Sequence, residues 1–143
     1  SETPYLQTAS ETDLIVLTIM ARGHEQLNGR MLKETLLQAG YEFGNMKIFN
    51  YYTQVEDERK LMFCLASAFE PGPFDIDDST TFSCSGICLF ISAQHRDASN
   101  VFDAMLTQAE NLADALSASL CDDKHQPCSD AYLTLCRQRV TRH

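Results

Sequence analysis

No stretch of this chain is long enough or apolar enough to cross a bilayer as a helix. The longest apolar run, Leu14-Ile15-Val16-Leu17-Thr18-Ile19-Met20-Ala21, is eight residues, against the roughly 20 a membrane helix needs. Ser1-Glu2-Thr3-Pro4 lacks the basic and then apolar regions of a signal peptide, so a soluble stretch is expected, with any anchoring signal outside it. Positive charge is scarce: 11 basic against 20 acidic residues, a formal charge of −9. Phosphate neutralisation needs clustered Lys and Arg, so nucleic acid is not an expected partner. Direct adsorption on anionic lipid is disfavoured too, whereas a partner presenting basic residues is attracted. The only basic cluster, Arg137, Arg139 and Arg142, sits in a terminal helix pattern, where it complements the helix dipole or faces solvent.

The signatures of site chemistry are equally thin. Gly40 and Gly44 bracket a helix stop and a turn, and no Gly-Lys-Ser/Thr follows to cradle a phosphate. His24-Glu25 has no second histidine, Cys-x-x-Cys is absent, and Cys84 with Cys88 has no histidine nearby, so no metal site is expected. Asp75, Asp77 and Asp78 lack the rest of a calcium loop and read as a solvated acidic segment. No Ser or Cys sits in a nucleophile elbow. The expectation is a domain without catalytic residues or cofactors.

What is present is enough apolar material for one core. With 143 residues and 44% hydrophobic content, a single domain burying about 70% of its unfolded surface is expected. Six cysteines, Cys64, Cys84, Cys88, Cys121, Cys128 and Cys136, allow 15 disulfide pairings. A core of this size needs no covalent staples, and several of these cysteines fall in apolar patterns, so reduced thiols are expected.

Residues 1–13 read as a flexible lead-in and 14–143 as the domain. Leu14 to Ala21 is rich in branched residues and predicts a strand. Asn28 is a candidate N-cap; Leu32, Thr35, Leu36 and Ala39 keep helical spacing, and Gly40 supplies the stop. Met46 to Tyr52 and Leu61 to Ala68 predict two strands joined by a turn at Glu56-Asp57-Glu58-Arg59-Lys60. Phe69 to Ser85 reads as a long irregular connection, and Gly86 to Ala93 as a fourth strand. Phe102, Met105, Leu106, Ala109, Leu112, Ala113 and Leu116 predict a helix capped at Asp97 or Ser99. Ser117 to Cys121 predicts a short strand, Asp122-Asp123-Lys124 a turn, and Ser129 the cap of a last helix carrying Tyr132, Leu133, Cys136 and Val140. Hairpin-length links and few helices point to a two-layer α+β domain with a largely antiparallel sheet.

Side chains alternate across a strand. If Ile15, Leu17 and Ile19 face the helices, Leu14, Val16 and Thr18 face away. The other strands split similarly, into Met46, Ile48 and Asn50; Met62, Cys64, Ala66 and Ala68; and Cys88, Phe90 and Ser92. With helices on one face only, the other face keeps an apolar patch, a common mark of a contact site. Three occupants fit: a protein partner, a small molecule in a sensing domain, or a second copy of the chain.

Several ordered segments resemble one family. They are Leu27-Asn28-Gly29, a helix, then Gln38-Ala39-Gly40-Tyr41-x-Phe43-Gly44-x-Met46-x-Ile48; Leu61-x-Phe63-x-Leu65-Ala66; Pro71-Gly72-x-Phe74-Asp75; Gly86 to Phe90; and Leu112-Ala113-Asp114. From Leu14 onward the chain resembles the C-terminal domain of ZipA-type bacterial division proteins, which binds the tubulin-like FtsZ. The resemblance implies a split β-α-β domain, an antiparallel sheet of about six strands with three helices on one side. It also implies a shallow apolar groove on the open face for the FtsZ tail. Carried over by position, the peptide-binding residues are Leu14, Val16, Thr18, Met46, Ile48, Ala66, Ala68, Phe69, Glu70, Cys88, Phe90 and Ser92. Three depart from the family pattern: Ala68 is smaller than the methionine expected, Cys88 replaces a threonine-like residue, and Glu70 stands where a lysine is expected. The resemblance further implies a monomeric domain whose full-length protein is a single-pass protein. An N-terminal membrane helix outside this sequence would hold the domain at the cytoplasmic face of the inner membrane.

Overall fold

A computed structural model describes residues 13–44, 48–68 and 83–141. Its central feature is a six-stranded sheet in the order β3-β4-β5-β7-β1-β8, with every neighbouring pair antiparallel. The strands are β1 (Leu14–Met20), β3 (Glu42–Phe43), β4 (Phe49–Val55), β5 (Glu58–Ser67), β7 (Gly86–Ser92) and β8 (Ser119–Cys121). A second, two-stranded sheet pairs β2 (Leu27–Asn28) with β6 (Ser83–Cys84). The helices are α1 (Gly29–Gln38), α2 (Ala98–Ala115) and α3 (Asp130–Thr141).

One large core joins the helices to one face of the sheet. Ile15, Leu17 and Ile19 of β1, Phe63 and Leu65 of β5, and Ile87, Leu89 and Ile91 of β7 meet Leu32 and Leu36 of α1, Phe102 and Met105 of α2, and Cys136 and Val140 of α3. The expected α+β architecture is therefore the one observed. On this side Tyr51 stacks on Phe63 at 4.9 Å between ring centroids, with Tyr41 tilted beside both. Gln108 of α2 ties the two hydroxyls together, accepting from Tyr41 and donating to Tyr51 at 3.3 Å each.

The helix ends follow local chemistry. Asn28 caps α1, its Oδ1 accepting the Met31 N–H at 3.1 Å, and Ser129 caps α3 by accepting the Tyr132 N–H at 3.0 Å. At the end of α1, Gly40 adopts φ +95°, its N–H bonds the Leu37 carbonyl, and the Tyr41 N–H reaches back to Leu36. This arrangement satisfies two orphan carbonyls. Ser117 repeats it after α2 at φ +53°, with Ala118 N–H bonding the Ala113 carbonyl at 2.8 Å. That left-handed residue is why β8 begins at Ser119 rather than at Ser117.

Two expected strands shift. Glu42 and Phe43 pair with Asn50 and Phe49, and the Gly44 N–H bonds the Ile48 carbonyl at 2.8 Å. β4 is described from Phe49, and the expected start at Met46 lies outside the described residues. The β4–β5 turn needs only two residues, Glu56 and Asp57, because Glu56 takes φ +57°. Glu58 to Lys60, expected in the turn, extend β5 by pairing with Thr53 to Val55. The acidic Asp75 to Asp78 segment lies outside the described residues.

Candidate peptide-binding face

The face opposite the helices carries a second apolar cluster of Ile48, Cys64, Ala66, Cys88 and Phe90, with Leu14, Val16 and Leu61 packed against it. Register brings these residues together from distant parts of the chain. Phe90 of β7 lies between Val16 of β1 and Cys64 of β5, and Cys64 lies opposite Asn50 of β4. One row, Asn50–Cys64–Phe90–Val16, thus crosses four strands. A second row sets Ala66, Cys88 and Thr18 opposite one another, ending at Cys121 of β8. Alternation puts Ala68 and Ser92 at the ends of this surface; Ala68 N–H bonds the Gly86 carbonyl at 3.1 Å, and Ser92 pairs with Leu14.

Of the twelve residues singled out by sequence, nine are described and all nine are strand-face or strand-end positions on this side. Met46, Phe69 and Glu70 lie outside the described residues. The patch differs from the exposed surface expected. Ile48, Cys64, Ala66, Cys88 and Phe90 are at most 5% exposed, while Leu14, Val16, Leu61 and Ser92 are half-buried. It is a packed floor with a partly open rim.

One alternation expectation is overturned. Met62 packs against the helix-side core, and Leu61 takes its place in the open-face cluster. The cause is a register shift between Tyr51 and Tyr52: Tyr51 pairs with Phe63 and Tyr52 with Leu61, leaving Met62 as an extra residue on β5. Such a bulge reverses which face each later side chain occupies.

Polar groups on this face are few. The Thr18 hydroxyl donates to the Asp122 carbonyl at 2.7 Å, and the Ser92 hydroxyl accepts the Gln94 N–H at 3.1 Å. Asn50, 3% exposed, accepts the Cys64 thiol through Oδ1 at 3.4 Å. Burial raises the pKa of the Cys64 thiol and pushes that of Cys88 up to about 12, so both are neutral at physiological pH and behave as small apolar groups. All six cysteines are free thiols. At the β1 edge, where β8 no longer pairs, the Tyr132 hydroxyl donates to the Val16 carbonyl at 2.5 Å and ties α3 to the face. Among the described residues, no three His, Cys, Asp or Glu side chains converge as a metal site. None of the described helices is long and apolar enough to cross a membrane.

Asn50, Cys64 and Leu61 belong to the face and were not among the twelve. Alternation groups Asn50 with Ile48, and Cys64 with Ala66, but nothing in the sequence marks the bulge that brings in Leu61. Arg137 of α3 turns elsewhere, pairing with Asp103 and lying over the Phe102 ring at 5.3 Å.

Comparison with known proteins points the same way. The family model described as the ZipA C-terminal FtsZ-binding domain matches residues 13–139. A cell division protein ZipA of Shewanella frigidimarina is 35% identical over 132 residues, covering 92% of this chain and 38% of the relative. Its counterpart in Shewanella sediminis is 38% identical over 111 residues, covering 77% and 33%. The Pseudomonas aeruginosa protein is 28% identical over 138 residues, covering 96% and 48%. The chain therefore spans between a third and a half of the length of these relatives.

Proposed function

The chain belongs to the ZipA C-terminal FtsZ-binding domain family, and from that premise we propose that it captures the C-terminal tail of FtsZ on the open face of its sheet. The domain works by binding alone, without catalysis or cofactor. An anchor carried elsewhere in the full-length protein then holds FtsZ filaments at the cytoplasmic face of the inner membrane during septal ring assembly. The observation that carries this reading is the second apolar cluster. Ile48, Cys64, Ala66, Cys88 and Phe90 gather on the face away from the three described helices, separate from the main core.

The energetics follow from that surface. A peptide laid over Leu14, Val16 and Leu61 gains from burying their half-exposed area, and from any contact it makes with the Phe90 ring. Against this stands the cost of ordering the peptide, so an affinity on the order of micromolar is expected, with the FtsZ polymer supplying avidity. The domain acts as a monomer.

The test is a titration of the isotopically labelled domain with a synthetic tail peptide from the cognate FtsZ. Backbone resonances of β1, β5 and β7 should move together, and those of α1 should stay in place. Movement confined to the helices, or none at all, would falsify the assignment of the face. Light scattering of the free domain should give the mass of one chain; a dimer would mean that a second copy occupies the same surface.

A further inference from the structure

Among the described residues, one buried amide of the apolar floor is left without an acceptor. The Thr18 hydroxyl donates to the Asp122 carbonyl, and the half-buried Ser92 hydroxyl accepts the Gln94 N–H. Asn50 spends only half of its side chain. Its Oδ1 accepts from the Cys64 thiol, which burial keeps protonated and therefore a donor. The Nδ2 amide, with two donor hydrogens, has no acceptor among the described residues, yet the residue is 3% exposed.

A buried donor without an acceptor is destabilising, so this amide is a liability to the fold as it stands. Local structure nevertheless makes room for it. Gly44 lies against Asn50, and a Cβ at that position would collide with Nδ2, so any larger residue there would displace the amide. Asn50 also stands at the β4 end of the row that continues through Cys64, Phe90 and Val16, which places it at one end of the floor.

A peptide crossing an apolar floor carries its own backbone carbonyls out of water, and each carbonyl so buried needs a donor. A neutral amide suits a carbonyl, whereas it does not compensate a buried full charge. Taking as given the reading of this face as the tail-binding surface, we propose that the Asn50 side-chain amide donates a hydrogen bond to a main-chain carbonyl of the bound tail. It thereby fixes the tail's position along the floor.

The test compares the wild-type domain with Asn50→Leu, which keeps a similar shape and removes the polar atoms, using the same synthetic tail peptide. Tail affinity should fall about 3- to 10-fold, the worth of one net hydrogen bond. The melting midpoint should hold or rise, because an unpaired buried donor is gone. In the wild type, the Asn50 side-chain amide resonances should shift when the tail is added. Unchanged affinity in Asn50→Leu overturns the proposal, and so does weaker binding accompanied by a lower melting midpoint and a wild-type amide signal that does not move. Phe90→Ala separates the two levels of the reading. If the wild type binds and Phe90→Ala weakens it while Asn50→Leu does not, only the role of Asn50 falls. If the wild type fails to bind the tail, the face assignment falls with it.

Discussion

The two faces of this sheet are built from different materials. The helix side is filled by large apolar residues, Leu17, Leu32, Phe63, Phe102 and Met105 among them, all fully buried, and all three described helices contribute to it. Among the described residues, the buried cluster on the opposite side has one aromatic, Phe90, set among Ala66, Cys64 and Cys88, and takes no residue from the three described helices. The same strands supply both sets, through odd and even positions. The difference teaches that the first face holds the domain together, while the second is affordable surface that can serve a partner.

The largest effect should come from the helix side. Phe102→Ala removes a fully buried ring of α2 and should cost about 3–5 kcal/mol, measured by urea unfolding. Phe90→Ala should cost less than Phe102→Ala in the same assay and leave a cooperatively folded domain. Equal losses would mean that both clusters are parts of one structural core, and the comparison would collapse.

Alkaline titration sharpens the contrast further. Burial raises the pKa of Cys88 from an ordinary 9 to about 12. Its neutral form is thus favoured in the fold, and the stability it contributes is fully present below pH 9 and is lost as pH climbs from 9 towards 12. Unfolding free energy followed from pH 8 to 11 should fall, and Cys88→Ala should flatten part of that fall. An identical slope in the variant would show that this thiol does not titrate with unfolding.

The smallest effect belongs to the sheet rim. Arg59 and Glu42 pair at 2.8 Å with about half of each side chain exposed, and exposed pairs contribute below about 1 kcal/mol. Glu42→Gln should leave both unfolding and tail binding within error of wild type; a clear loss of tail affinity would extend the functional surface to the β3 edge.

Much of this was legible in the sequence because it depends on near neighbours. The alternation from Leu14 to Met20 assigned both faces of β1, and Asn28, Gly40 and Ser129 marked helix ends through their own side-chain or backbone chemistry. The resemblance then selected the parity of the remaining strands. What stayed hidden depends on distant pairing. The β2–β6 ladder joins residues more than fifty positions apart, the Met62 bulge exists only relative to β4, and the two residues of β3 are too few to show a period. The Asn50 amide, without an acceptor among the described residues, was hidden for the same reason, since a missing partner can be recognised only once the neighbours are in place.

The central claim, that the face opposite the described helices is the tail-binding surface, is tested most directly by calorimetric titration of the cognate FtsZ tail into three proteins: the wild type, Phe90→Ala, and Leu37→Ala as a control on the exposed side of α1. A buried aromatic anchor is worth about 2 kcal/mol or more. The account therefore expects Phe90→Ala to weaken binding about 30-fold or beyond, with Leu37→Ala indistinguishable from wild type. Equal affinities for folded wild type and Phe90→Ala, or a loss confined to Leu37→Ala, would contradict it.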